Sequence, residues 1–195
     1  VIIDRGAGMP IVTVADFAST FEGIRRAYPV TTLDIRPARI LRTNDNGVDL
    51  LDTIADEYTC FDNDFFGSIW DWVQDCDWDK YHVGLLPVTA AGCPGGMAYV
   101  NSPVCYTEAT PWVAAQEVGH CLGREHAGND HGEAGGGGFD AAFPHPHGRI
   151  GLVGFDTVAM QAIPVNGPFP AEVPTLSDPC REGAAHAHDF MSYGD

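Results

Sequence analysis

At 195 residues, 45% hydrophobic and 19% charged, the chain is long enough for one substantial core and short for two ordinary domains. Ten Lys+Arg against 27 Asp+Glu leave a net charge of -17, which repels phosphate backbones and anionic headgroups, so neither nucleic acid nor an acidic membrane surface is an expected partner. The longest apolar runs, such as 150–155, fall far below the roughly 18 to 20 residues that span a bilayer.

Over 10–27 the apolar residues Ile11, Val14, Phe17, Phe21 and Ile24 recur every three or four positions, which predicts an amphipathic helix ended by Tyr28-Pro29. Residues 30–41, rich in Thr, Ile and Val, read as a strand interrupted near Pro37, with a turn at 44–47 and a second helix over 48–58. The segment 60–80 interleaves Asp62, Asp64, Asp71, Asp75, Asp77 and Asp79 with aromatics. It reads as a helix with a solvated acidic face, and Ca2+ binding is the alternative there although the EF-hand spacing is absent. Residues 81–88 predict a buried strand and 96–101 a short one. Thr110-Pro111 then supplies a cap and a first-turn proline for a helix through Trp112, Val113, Ala114, Ala115, Val118 and Leu122, stopped by Gly123. Beyond it, four consecutive glycines and repeated prolines predict an irregular stretch. The expectation is an α+β fold in one domain over 1–195, with an N-terminal lobe of about 1–123 and a C-terminal lobe of about 124–195.

The six cysteines form no CxxC pair, so disulfides in an exported protein are expected in preference to a metal ribbon or redox motif. Six cysteines allow 15 pairings; Cys93 and Cys105 flank a short segment that a bridge would close. No stretch combines a basic start, an apolar core and a small-residue cleavage site, so a leader is expected to have been removed or never included.

The chemistry concentrates in Gln116-Glu117-Val118-Gly119-His120-Cys121-Leu122-Gly123-Arg124-Glu125-His126. On a helix, positions 116 and 120 lie on one face a turn apart, which is how two side chains share a metal. Gly123 can take a positive φ and bring His126 back to the same point, leaving a further position for water as in a catalytic zinc site. Glu117, beside them, is placed to take a proton from that water. The bland alternative is that Glu117-Val118-Gly119-His120 is ordinary surface and core punctuation of a helix.

This pattern resembles the metzincin zinc endopeptidases, whose signature is HExxHxxGxxH followed later by a turn containing Met. Glu117, His120, Gly123 and His126 occupy the expected places, while Gln116 stands where the family has its first His. Asp189-Phe190-Met191-Ser192-Tyr193 looks like the Met-turn. Similarity to secreted microbial metzincin-like proteins extends over roughly 80–195. The resemblance implies a metzincin-like zincin fold: a twisted mixed sheet with helices in the N-terminal lobe, an active-site helix, and an irregular C-terminal lobe carrying the Met-turn. It implies Zn2+ held by His120, His126 and the position of Gln116, Glu117 as general base, Tyr193 assisting the oxyanion, and Met191 as the floor of the site. It also implies a sheet edge at Gly96, Met97, Ala98 and Tyr99 that pairs with an extended peptide substrate.

The implied function is a secreted, monomeric zinc-dependent endopeptidase acting on peptides or proteins. Gln116 opens the alternative of a degenerate domain that binds peptide without cutting it, because an amide oxygen is a poor substitute for imidazole. His145, His147, His186 and His188 stand as replacement ligands or as solvated loop histidines. His82, in a predicted strand, reads as structural.

Overall fold

Thr13 decides where the first helix begins. Its side chain accepts from the Asp16 backbone N–H at 3.2 Å while the Asp16 carboxylate accepts from the Thr13 N–H at 2.9 Å, a reciprocal capping box. Helix α1 therefore runs Val14–Ala27, beginning after the cap and not at Pro10. The computed structural model describes residues 1–6, 8–28, 32–36, 40–58, 80–88, 95–127, 140–143, 154–156 and 160–163.

The other elements are β1 (Ile2–Asp4), β2 (Ile40–Arg42), α2 (Gly47–Tyr58), β3 (His82–Leu86), β4 (Gly96–Ala98), β5 (Val104–Glu108), α3 (Pro111–Cys121), β6 (Gly154–Asp156) and β7 (Gln161–Ile163). Of the strand expected over 30–41, the described residues hold β2, while 32–36 take no strand. The C-terminal stretch expected to be irregular contains the antiparallel ribbon β6–β7, with Met160 at φ 53 just before β7. The Asp-rich segment 60–79, with its calcium alternative, lies outside the described residues.

The main sheet has the order β2-β1-β3-β5-β4, parallel except for β4, which runs antiparallel to β5 with Gly96 opposite Thr107. Among the described residues the architecture is thus α+β, with a mixed five-stranded sheet and three helices. Alternation along the strands sends side chains to two faces. Ile3 and Val104, with Leu86, Met97 and Tyr106 partly buried, pack with Leu50, Leu51 and Ile54 of α2. Cys105 packs on the other face with Ile24 of α1 and Ala114, Val118 and Cys121 of α3. Leu85 joins Val12 and Ala109 in a third cluster, against which Phe17 and Phe21 pack. No helix among the described residues is long and apolar enough to cross a membrane.

Helices α1 and α3 meet at Gly23. A Cβ there would lie 2.4 Å from Pro111 Cβ and 2.5 Å from Pro111 O, so the two helices approach only because the side chain is absent. Tyr28, the C-cap of α1, adds a hydrogen bond of 2.7 Å from its hydroxyl to Ala115 O, tying the end of α1 to the middle of α3. On helix propensity alone Gly23→Ala gains about 1 kcal/mol. Here the collision with Pro111 is expected to outweigh that gain and give a net loss of about 1–2 kcal/mol, measured as a lower urea midpoint at unchanged m value. A stability gain would show that the helices separate freely at this point.

Candidate functional site

The site is built on α3. Val113 through Cys121 are all buried, so the helix has no solvated face over those nine residues. A helix apolar all round is ordinary in a core, but here Gln116, Glu117 and His120 are enclosed at 5%, 7% and 5% exposure. Enclosing polar groups is costly unless other groups compensate them. The start of the helix follows the expectation, with extended Thr110 followed by Pro111, although the Thr110 side chain makes no capping hydrogen bond.

The C-terminus is a full Schellman turn. Gly123 adopts φ +85, its N–H donates to His120 O at 2.9 Å, and Arg124 N–H donates to Gly119 O at 2.9 Å. Asn101 N–H, from the loop between β4 and β5, also donates to His120 O at 2.9 Å. A side chain at 123 would meet both the positive φ and Asn101 Oδ1, which stands 2.4 Å from the Cβ position.

This turn returns the chain so that His126 meets His120. Their Nε2 atoms are 3.0 Å apart and their rings stand nearly perpendicular, at 85°. His120 Nδ1 lies 2.7 Å from Arg124 O. A carbonyl oxygen only accepts, so Nδ1 carries the proton and the Nε2 of a neutral His120 presents its lone pair toward His126. Burial lowers the His120 pKa, opposed in part by the hydrogen bond to Arg124, which favours that neutral form. His126 is fixed from behind, its backbone carbonyl accepting from Asp140 N–H at 2.9 Å.

Glu117 lies against β4. A Cβ at Gly96 would stand 2.5 Å from Glu117 Cγ and 2.9 Å from Cδ, so Gly96 leaves the room the carboxyl group occupies. Burial raises the Glu117 pKa from 4.5 to about 8, which places a proton-accepting group close to neutrality.

Two imidazoles, that of His120 held in its tautomer by a carbonyl, suit a zinc ion: tetrahedral bonds of 2.0–2.1 Å place ligand nitrogens about 3.3 Å apart, near the 3.0 Å found. Among the described residues no three or more His, Cys, Asp or Glu side chains gather as a metal would require. Gln116, the remaining position of the expected ligand set, is buried one helical turn before His120. Of the expected site residues, the structure brings His120 and His126 together and sets Glu117 beside Gly96. Met97 is turned to the α2 side, partly buried, Ala98 faces α3, and Tyr99 is exposed. Met191, Tyr193, His145, His147, His186 and His188 lie outside the described residues. His82 is buried in β3.

Asn101 and Arg124 were not singled out by spacing, yet their backbone groups hold the turn and the imidazole; only the positive-φ signal of Gly123 pointed near them. No protein-family model, curated protein or solved structure matches this chain.

The raised carboxyl has a consequence for stability. Its folded pKa, about 8, exceeds the 4.5 of an unperturbed Glu, so the stability present below pH 4.5 is lost as pH rises through 8. By linkage the loss is on the order of 3–5 kcal/mol in metal-free protein. Glu117→Gln is expected to remove this slope, so the difference between variant and wild type in urea denaturation should grow from pH 5 to pH 8.5. The acid-side effect of His120 is common to both proteins and cancels. A pH-independent difference would mean that Glu117 reaches water.

Proposed function

We propose that this chain is a metzincin-like zinc endopeptidase, secreted and acting on peptides or proteins as a monomer. The convergence of His120 and His126 Nε2 at 3.0 Å on a Gly123 turn carries the reading. His120, His126 and Gln116 would hold the metal. When bound, zinc supplies a Lewis acid that polarises the scissile carbonyl and activates water. Glu117, one residue from Gln116 and walled by β4, would accept the proton of the attacking water and return it to the leaving amine. Strand β4 stands at the sheet edge, where its outer backbone groups would pair with an extended substrate. Tyr193 would assist the oxyanion and Met191 underlie the metal, as the resemblance implies.

A second reading is favoured by one observation: the described residues gather two imidazoles and no third charged or imidazole ligand. A neutral amide at 116 weakens metal binding, and the groove would then retain peptide without cleaving it.

Elemental mass spectrometry of protein purified without chelators is expected to find about one zinc per chain, lost in His120→Ala. Casein cleavage should be chelator-sensitive and fall about 100- to 10,000-fold in Glu117→Ala. Gln116→His should tighten zinc by about 10- to 100-fold or more. Cleavage seen only in Gln116→His would favour the binding domain, and zinc retained at full stoichiometry in His120→Ala would sink the metal assignment.

A further inference from the structure

The core between β5 and α3 contains two cysteines that the proposed site does not use. Cys105 and Cys121 are 0% and 3% exposed and belong to one packed cluster with Ile24, Ala114 and Val118. Their placement follows from two periodicities. On β5, Val104 and Tyr106 turn toward α2 and Cys105 turns toward α3. On α3, Ala114, Val118 and Cys121 fall at intervals of four and three, forming the stripe that meets the sheet. The two thiols thus face each other across a strand–helix contact, both as free cysteines.

We propose that Cys105 and Cys121 are disulfide partners, and that their bond staples the helix carrying Glu117 and His120 to the central strand β5. The bond closes a loop of about 15 residues, Tyr106 to His120, a span for which a cross-link appreciably restricts the unfolded chain. It also excludes a bridge between Cys93 and Cys105, one of the pairings the sequence leaves open. Formation breaks two S–H bonds and makes one S–S bond; two protons and two electrons pass to a small-molecule disulfide such as oxidised glutathione, which leaves as two thiols. The contact with Cys121, and after it complete burial, push the Cys105 thiol well above its ordinary range. Attack therefore occurs from the open chain during folding, before the pair is enclosed. Once formed, the bridge is shielded from reductants by the same packing. Its position matters to the site, because Cys121 follows His120 directly and Gly119 and His120 supply the carbonyls of the Schellman turn.

The test is peptide mapping of the full chain refolded with oxidised and reduced glutathione, alkylated in denaturant without reduction. Trypsin leaves Cys93, Cys105 and Cys121 in one peptide, since no Lys or Arg lies between Lys80 and Arg124. Chymotrypsin with a Glu-specific protease cuts at Tyr99, Tyr106, Glu108 and Glu117 and separates them. The expected product is the peptide of Cys105 linked to that of Cys121. Both thiols alkylated, or Cys105 linked to Cys60, Cys76, Cys93 or Cys180, overturns the pairing. The staple also requires Cys105→Ala/Cys121→Ala to lower the Tm of the oxidised protein by roughly 5–10 °C, and an unchanged Tm contradicts it.

Discussion

Helix α3 has no side left for water. With Val113 through Cys121 buried, it is held by α1 and by the faces of β4 and β5, and every polar group it carries is enclosed in a medium where electrostatic effects are strong. The rest of the structure can be read as the means of enclosing it. Gly23 lets α1 lie directly on Pro111, Tyr28 bonds Ala115 O, and Gly96 gives the sheet edge room for a glutamate. A helix chosen only for stability would place apolar residues at 116, 117 and 120. The raised pKa of Glu117 and the lowered pKa of His120 measure how far these residues depart from that choice. Such departures cluster where a protein does chemistry.

The second constraint is geometric. Two histidines six residues apart cannot meet along a continuous helix, where the second would lie about 9 Å farther along the axis. They meet because Gly123 reverses the chain and because His120 O accepts from both Gly123 and Asn101. The ring of His120 is then oriented by Arg124 O, a group the turn itself brings back over the helix end. One turn therefore sets the separation, the tautomer and the direction of the imidazole pair. Backbone groups do this, so the identities of residues 124 and 125 are far less restricted than that of residue 123.

What was legible in the sequence follows the same division. Periodicity found α1 and the turn at 44–47 preceded α2 within a few residues, and Thr110-Pro111 with Gly123 bounded α3, because helix ends are written in local chemistry. The convergence of His120 and His126 was legible from spacing plus one glycine. Strand β5 was missed although Val104, Cys105 and Thr107 are buried; the six residues between Pro103 and the Thr110 cap are too few to distinguish a strand from a connection. Strand β1, three residues long, gives no period at all. Gly96 was read as part of a substrate strand, and its second role, as the space for Glu117, needs the sheet and helix together in three dimensions. The Cys105–Cys121 contact is likewise a tertiary fact, and spacing in sequence left the pairing open.

Gln116 separates the two levels on which this site is built. As a fold position, 116 requires a helix former that fills buried volume, and glutamine has good helix propensity and a size near that of histidine. As the ligand position proposed above, it would require a lone pair of high affinity, which a neutral amide lacks. On the proposed reading, an amide in place of imidazole leaves helix, turn and histidine pair in place and acts on metal affinity alone. The Schellman turn, the His120 tautomer and the Glu117 pocket depend on groups other than the 116 side chain: Gly119 and His120 carbonyls, Arg124 O and the missing Cβ of Gly96. A site so preorganised gains directly from any stronger donor that enters it, because no further ordering of the chain is needed.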